Sequence, residues 1–412
     1  MSFQLKVNTM KVSVLNWIKT CLLLILFSDS EHVFAQGLNE AFGIPIWSDN
    51  NLWDDDAGIT ARRLNLRGTQ SRQGNETFRG SFAGERVLND HLFAIDLYPL
   101  DGKVRRIVLA FANEADLARV SPGALIQLPE IKEQSFLNVK NALTKRIGRP
   151  SGEKEVLHWS WLGHTLTLKN TEKAVLLEIQ PGSYSPNPSP GSSIIEDPRR
   201  AAKKLNSYVV QNSQGDVLIS QIPKISQGSR NYCVPATWEK VLRHYGLAFN
   251  VYDLANEGDT SVSGSYYTQF TNRVSGMLKP HQYRVEYLRF QPGEIQAVKK
   301  YIDQGLPLIW HMNAVQLPSW VQRNRSRRDA LPDGPDLLAG GNMAGHALLI
   351  IGYNIRNQEL ALSDSTDLGS SQDSIWIRIK EAQSAHMPKT ELLAVWPPGK
   401  SGSGGHLKAN WY

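Results

Sequence analysis

The stretch QGSRNYCVPATWEKVLRHY, residues 227–245, decides the fold of the second half of the chain, because it predicts where a helix begins. Apolar side chains recur at helical spacing after Cys233, and Gly246 follows them as a stop signal. These apolar residues are Val234, Trp238, Val241, Leu242 and Tyr245. Pro235 suits the first turn of a helix, where its missing N–H costs nothing. We therefore expect Cys233 to begin a helix, whose dipole and free N–H groups lower the pKa of a thiol there.

The stretch AGHALLIIGYNIRNQELALSD, residues 344–364, predicts a β-hairpin that opens with His346. An apolar strand follows His346, the chain turns near residues 354–357, and a second strand returns toward Asp364. Pairing about Ile355 would set residue 346 opposite residue 364, so we expect the two side chains to be neighbours. A carboxylate beside an imidazole orients the ring and supports its charged form, so Cys233, His346 and Asp364 match a nucleophile, a base and an orienting group.

Gln227 lies six positions before Cys233, and the loop between them can fold back. Its side-chain amide could donate to an oxyanion beside the backbone N–H of Cys233. In order and spacing, these two residues with His346 and Asp364 resemble the papain-like cysteine peptidases, and more narrowly the C39-like family of bacteriocin-processing peptidases and their soluble relatives. The resemblance covers about residues 217–397. It implies an α+β, papain-like fold with the cysteine on a helix and the histidine and aspartate on an antiparallel sheet.

The sequence departs from that family at two positions next to these residues. Tyr232-Cys233-Val234 stands where the family often has Asp-Cys-Gly, and Asp364-Ser365 stands where Asp-Pro often ends the histidine hairpin. Neither change removes a group that the family uses in catalysis. The best-known members are fused to ABC transporters and cut leader peptides after a double glycine. This sequence shows no membrane spans or ATPase motifs of that kind, so their substrate is not transferred to it.

Residues 1–35 have the pattern of a secretory signal peptide. Basic residues precede the short apolar run 21–27, and Ala35 ends a small-residue cleavage site. We therefore expect export to the periplasm or the outside of the cell, with an uncleaved membrane anchor as the alternative. Cleavage after Ala35 would remove Cys21 and leave Cys233 as a lone thiol, either buried or used in chemistry.

Residues 56–180 predict a smaller, separate α+β domain, to which no chemical motif can be attached. Alternating patterns indicate its strands around residues 78–82, 92–97, 106–111, 159–168 and 175–179. Ser135 is the predicted N-cap of a helix that ends at Gly148. The preceding stretch, residues 35–55, is irregular and is expected to have little structure of its own.

The rest of the chain divides by composition. Residues 181–200 are rich in Pro, Ser and Gly and indicate an extended linker, and residues 398–412 indicate a flexible tail. Residues 217–397 read as a short strand, a helix, a strand and a helix, followed by several strands. Within them, the basic stretch 317–342 is interpreted as an insertion that forms either a lid or an ordinary solvated loop.

Composition limits the function further. With 412 residues, 41% hydrophobic and 20% charged, the chain is long enough for two or three globular domains and is neither collagen-like nor disordered as a whole. The net charge of +6 is spread among many acidic residues, so we expect no nucleic-acid partner. The histidines lack paired metal-ligand spacing, so we expect no metal and no cofactor. The histidines considered are His164, His244, His281 and His311.

These patterns together predict an exported cysteine peptidase that acts on a peptide or protein substrate through a thioester. Two alternatives remain open from the sequence. The same residues could pass the acyl group to an amine, as a thiol acyltransferase or amidase acting on cell-wall peptides. The domain could also be a catalytically silent binding protein, in which Cys233 is a structural cysteine.

Overall fold

The computed structural model describes the residues 39–40, 42–47, 52–68, 77–82, 85–161, 163–182, 202–228, 230–247, 249–313, 345–366, 374–387 and 391–400. The predicted signal peptide, the basic stretch 317–342, the linker from residue 183 and the tail from residue 401 lie outside these residues. Within the described ranges, no helix is both long and apolar enough to cross a membrane.

The N-terminal unit is built on one large antiparallel sheet. Its helices are α1 (Ala57–Arg63), α2 (Glu114–Val120) and α3 (Leu128–Ile147), with 3-10 turns at Leu52–Asp54 and Pro122–Gln127. Its strands are β1 (Arg67–Gly68), β2 (Phe78–Ser81), β3 (Arg86–Val87), β4 (Asp90–His91), β5 (Ala94–Leu100), β6 (Lys103–Asn113), β7 (Ser151–Glu153), β8 (Val156–Trp161), β9 (His164–Asn170) and β10 (Ala174–Pro181). Eight strands form the sheet in the order β1-β2-β5-β6-β10-β9-β8-β7, and β3 pairs with β4 alone.

Helix α3 covers one face of this sheet and corrects one prediction. It buries Phe136, Val139 and Leu143 against the sheet and is followed by Gly148, as the sequence predicted. The predicted N-cap at Ser135 is wrong, because the helix already begins at Leu128. The first two turns are mostly exposed, so no apolar periodicity marks them. Ser135 lies inside the helix.

Two further expectations for this unit are corrected. The stretch 35–55 was expected to have little structure of its own, but its large side chains belong to the core of the unit. They include Phe42, Ile46, Trp47, Leu52 and Trp53. Their spacing is irregular, so neither helical nor strand periodicity predicts that they are buried. The single strand expected at 159–168 is a hairpin of β8 and β9, which turns at Gly163 with φ of +76°. Glycine adopts that backbone conformation without steric cost.

The C-terminal unit is a second mixed structure of helices and one sheet. Its helices are α4 (Cys233–His244), α5 (Val251–Glu257), α6 (Tyr267–Leu278), α7 (Ile295–Ile302) and α8 (Ile379–Ala385), with 3-10 turns at Leu205–Tyr208 and Lys279–His281. Its strands are β11 (Val209–Gln211), β12 (Val217–Ile219), β13 (Arg284–Leu288), β14 (Leu308–Met312), β15 (His346–Asn354), β16 (Glu359–Ser363), β17 (Ile375–Arg378) and β18 (Leu392–Trp396). The sheet order is β11-β12-β15-β14-β18-β13, and β16 pairs with both β15 and β17.

The mixed helix and sheet class expected from the sequence is thus confirmed, while details of the second unit differ. Three helices rather than one lie between β12 and β13. The unit also extends upstream of residue 217, because β11 pairs with β12 and Leu205 lies in the same core. Helix α4 crosses β15, where the Thr237 hydroxyl donates to the Ala347 carbonyl at 3.0 Å. This contact holds the start of α4 near the start of β15.

The two units have separate cores but share a third apolar cluster. One face of β6 turns Ile107 and Leu109 toward α3, and the other turns Val108 and Ala110 toward the C-terminal unit. The partners across the interface belong to α4, α5 and the loop before α4; they are Ile225, Tyr232, Ala236, Val251, Tyr252 and Ala255. The sheet of the N-terminal unit is therefore covered on both faces, and α4 is sandwiched between that sheet and β15.

Charged side chains are buried in the same interface, and Glu239 on α4 is the clearest case. It is 0% exposed, and neither of its carboxylate oxygens has a hydrogen-bond partner among the described residues. The nearest cation is Arg243, whose Nη1 lies 3.9 Å from Oε1. Burial raises the pKa of Glu239 to about 7, and the charges of Arg79 and Arg243 offset that effect only in part. A proton is therefore taken up by this carboxyl when the chain folds near neutral pH.

We expect the Glu239→Gln variant to be more stable than the natural chain above neutral pH. Because the folded-state pKa lies above the unfolded value, the folded state binds this proton more tightly, and stability falls as pH rises from about 4.5 through 7. An amide removes that loss, so its benefit should be small near pH 5 and larger near pH 8. Thermal unfolding followed by circular dichroism measures the difference. Glu153→Gln, at an exposed strand position, is the control, and a Glu239→Gln chain less stable near pH 8 would contradict the expectation.

Candidate active site

Cys233 is the first residue of α4 and is only 7% exposed. The first N–H groups of a helix have no partner within the helix, and the helix dipole is positive at that end. Pro235 occupies the first turn, as the sequence predicted. The backbone N–H groups at the start of α4 therefore face the region where a negative charge on the thiol, or on a carbonyl oxygen attacked by it, would form.

His346 and Asp364 are joined directly. Nε2 of His346 lies 2.8 Å from Oδ1 of Asp364, and both side chains are buried. The same oxygen accepts the backbone N–H groups of Ser365 at 2.6 Å and Thr366 at 3.1 Å. Burial alone would raise the pKa of Asp364, but the His346 charge and these donors hold it well below its usual range. The carboxylate is therefore kept ionised beside the imidazole.

The hairpin that carries these residues corrects the predicted register. The four-residue turn at 355–358 and the irregularity between Ile350 and Gly352 shift the pairing, so Leu349 faces Ser363 instead of residue 361. The prediction that residue 364 lies opposite residue 346 is therefore wrong. The shift is an even number of residues, which leaves both side chains on the same face of the sheet. Asp364 follows the end of β16 and reaches His346 diagonally.

The thiol of Cys233 completes the arrangement on the other side of the imidazole. Because Nε2 of His346 is bonded to Asp364, the remaining nitrogen, Nδ1, is the one available to the thiol. Burial would raise the pKa of Cys233, but a hydrogen bond to His346, the His346 charge and the Ala347 N–H bring it below its ordinary value. Burial would lower the pKa of His346, but Asp364 and Cys233 raise it to about 10. The opposite shifts favour a thiolate and imidazolium pair.

Gln227 is held in a fixed orientation close to the Asp364 end of the site. Its backbone N–H donates to the Ser365 carbonyl at 2.8 Å, and its Oε1 accepts the Ser365 hydroxyl at 2.9 Å. Its Nε2 donates to the Arg230 carbonyl at 3.0 Å. A carbonyl only accepts, so this contact identifies the amide nitrogen. An amide nitrogen carries two N–H groups, so this one can donate to a second acceptor as well.

Lys240 and Ser365 belong to the site although the sequence analysis did not select them. Lys240 is buried on α4, and its Nζ donates to the Ser363 hydroxyl at 3.1 Å and to the Asp364 carbonyl. Burial lowers its pKa to about 8, although the Asp364 charge acts in the opposite direction. Lys240 follows Cys233 by two helical turns and so shares its face, which was the signal available in the sequence. Ser365 gave no such signal, because its role depends on a loop from another element.

The histidines considered as metal ligands do not come together. Among the described residues, no group of three or more His, Cys, Asp or Glu side chains is arranged to hold a metal ion. His164 is packed in the N-terminal core, where the Trp47 indole N–H lies 3.2 Å from its Nε2. His244 lies between the carbonyls of Gln221 and Gly305.

Comparison with known proteins shows what the C-terminal unit is similar to. The alignment with a C39-like peptidase from Bacillus anthracis has 15% identity and covers 44% of this chain and 97% of that one, with a TM-score of 0.31. The peptidase domain of Streptococcus ComA, a bifunctional ABC transporter involved in quorum sensing, gives 16% identity, coverages of 42% and 95%, and a TM-score of 0.27. A double glycine motif protease of an AMS/PCAT transporter, solved with a leader peptide, gives 14%, coverages of 43% and 92%, and 0.28. No curated protein sequence matches the chain. The model of the Peptidase_C39 like family matches residues 208–391, the same part of the chain in which the sequence resembles that family.

Proposed function

We propose that the protein is an exported cysteine peptidase that hydrolyses peptide bonds with Cys233, His346, Asp364 and Gln227. The observation that carries the proposal is the direct contact of His346 with Asp364, together with opposite pKa shifts of the thiol and the imidazole. A structural cysteine has no need of a charged imidazole partner. Export is part of the proposal, and N-terminal sequencing of the secreted chain tests it, since an intact residue 1 would contradict cleavage after Ala35.

In the first step, the Cys233 thiolate attacks the carbonyl carbon of the peptide bond. A bond forms between Sγ and that carbon, and the electron pair of the C=O double bond moves to the oxygen. The oxyanion is stabilised by the backbone N–H of Cys233 and by the second amide N–H of Gln227. These donors are fixed before the reaction, so the charge develops against dipoles that need no reorganisation.

In the second step, the tetrahedral intermediate collapses to a thioester. His346 gives the proton on Nδ1 to the leaving nitrogen, the C–N bond breaks, and the new amine departs. His346 is then neutral and takes a proton from water, which attacks the thioester and releases a carboxylic acid and the thiolate. Asp364 keeps the ring oriented through both transfers, because its bond to Nε2 leaves Nδ1 directed at the reacting atoms.

The alkylation rate of Cys233 with iodoacetamide against pH tests the proposal. Only the thiolate reacts, so the full chain should be modified rapidly well below pH 8, and His346→Ala should shift the curve to higher pH. His91→Ala, an exposed position of the N-terminal unit, is the matched control. The modified peptide is identified by mass spectrometry, which separates Cys233 from Cys21. Identical slow curves in all three chains would mean a structural cysteine and would reject the proposal.

A peptide library analysed by mass spectrometry tests the reaction type. Hydrolysis yields new carboxylic acid ends, whereas acyl transfer in the presence of an added primary amine yields amides. We expect acids as the main product. Amides as the dominant product would replace hydrolysis by acyl transfer while leaving the same thiol chemistry in place.

A further inference from the structure

We propose that the N-terminal unit shapes the oxyanion site of the C-terminal unit. In this view Asp116, Asn113 and Arg79 are positioning residues, which act through the loop 225–232 that carries Gln227. The proposal rests on the proposed function, and it assigns a role to the N-terminal unit, to which the sequence attached no chemistry.

The described residues of the loop 225–232, which are 225–228 and 230–232, lie between the two units. Its first and last residues, Ile225 and Tyr232, are buried in the apolar cluster that both units share. Gln227 and Arg230 between them are buried as well. The conformation of this loop therefore depends on the N-terminal unit as well as on the domain to which the loop belongs.

The contact of Arg230 with Asp116 is the central anchor. Nε of Arg230 donates to Oδ1 of Asp116 on α2 at 2.8 Å, and both side chains are buried. The carbonyl of Arg230 is also the acceptor that fixes the amide of Gln227 at 3.0 Å. Arg230 is therefore held by the N-terminal unit through its side chain, and its backbone carbonyl in turn fixes the amide of Gln227.

Both ends of the loop have further anchors from the N-terminal unit. Arg79 donates to the carbonyl of Ser226, directly before Gln227, and is itself held by the buried carboxylate of Asp96. At the other end, the amide of Asn113 donates to the hydroxyl of Tyr232 at 3.2 Å, directly before Cys233. The loop is thus fixed on both sides of the amide that is proposed to meet the oxyanion.

This geometry separates the residues that form the thiolate from the residues that position the oxyanion donor. The Cys233, His346 and Asp364 contacts lie on α4, β15 and the end of β16, and none of their hydrogen bonds involves Asp116. Weakening the Asp116 anchor should therefore disturb the oxyanion donor and leave the thiolate intact. Displacement of a positioned catalytic group costs rate rather than binding when the group acts mainly in the transition state.

The test uses Asp116→Asn in the full chain, with peptides cleaved by the natural chain as substrates. We expect kcat to fall about tenfold with little change in KM, while the pH curve of Cys233 alkylation stays unchanged. Asp259→Asn is the matched control. It removes a contact between the units as well, because Asp259 Oδ1 lies 2.9 Å from Lys173 Nζ, but that pair is partly exposed and does not touch the loop. Natural kcat in Asp116→Asn would overturn the proposal.

A double-mutant cycle shows whether Asp116 acts through Gln227. In a Gln227→Ala background, Asp116→Asn should have almost no further effect on kcat, since the group it positions is already absent. An equal loss of rate in both backgrounds would mean a general structural effect and would overturn the proposal. If Asp116→Asn does not fold, as judged by circular dichroism, Tyr232→Phe takes its place in the same cycle. That change removes only the hydroxyl bonded to Asn113.

The outcomes distinguish this proposal from the one on which it rests. If Cys233→Ala cleaves peptides as fast as the natural chain, or if the natural chain cleaves none of the library, the peptidase function fails and this inference fails with it. If Cys233→Ala is inactive while Asp116→Asn matches the natural chain, the peptidase function stands and only the role of the N-terminal unit is rejected.

Discussion

The Cys233→Ala variant is expected to lose hydrolysis by on the order of 10⁵-fold, the largest effect of any single change in this chain. The methyl group cannot form the bond to the carbonyl carbon, so no thioester is made. The remaining amide and backbone donors can still bind a peptide, which should leave KM nearly unchanged. Rates are measured by mass spectrometry on library peptides that the natural chain cleaves.

The loss should not arise from unfolding. Cys233 is a small side chain at a helix start, and alanine is favourable in helices, so the thermal unfolding midpoint should change little. Cys233→Ser keeps a hydroxyl at nearly the same place and should be almost as inactive, because its pKa is not lowered as that of the thiol is. A Cys233→Ala chain that retains more than a tenth of the rate would show that another residue is the nucleophile.

The Asp364→Ala variant is expected to lower kcat by about 10³- to 10⁴-fold. Burial lowers the pKa of His346, and Asp364, together with Cys233, raises it to about 10, with Asp364 the stronger of the two. Without the carboxylate, burial dominates, the imidazole stays neutral at neutral pH, and the thiolate loses its cation. Alkylation of Cys233 should therefore require a higher pH than in the natural chain.

Stability gives an independent readout of the same carboxylate. Its pKa is depressed in the folded state, so it stabilises the fold above its unfolded pKa of about 4, and this contribution is lost as pH falls through the folded value. Asp364→Ala should accordingly be destabilised near neutral pH, with a smaller difference in strong acid. Asp303→Ala, which breaks the exposed pair with Lys299, is the control for kcat. An alkylation curve unmoved by Asp364→Ala would contradict the orienting role.

The sequence predicted the start of α4 because every signal for it is local. The apolar spacing after Cys233 and the position of Pro235 depend on one helix, and no distant partner is needed to interpret them. The hairpin was predicted for the same reason, but its register was not. A four-residue turn and an irregularity near Gly352 change the pairing without changing the apolar pattern of either strand.

The sequence could not predict what lies across the interface. Val108 and Ala110 alternate with the core-facing residues of β6, so the strand is one continuous apolar run. Such a run does not indicate which part of the chain covers the second face of the strand. Arg230 and Asp116 are far apart in the chain and resemble ordinary surface charges. Only the fold shows that they form a buried pair beside Gln227. The irregular residues before α1 were missed likewise, because burial without periodicity leaves no pattern.

The two-sided burial of the N-terminal sheet has a consequence for how the newly synthesised chain folds. Domains generally fold as they leave the ribosome, N-terminal part first. Here the first half emerges with Val108, Ala110 and Leu176 on a face whose cover, residues 225–255, has not yet been made. An uncovered apolar face of this kind favours association with other chains. Until the second half folds against it, this face stays exposed to such association.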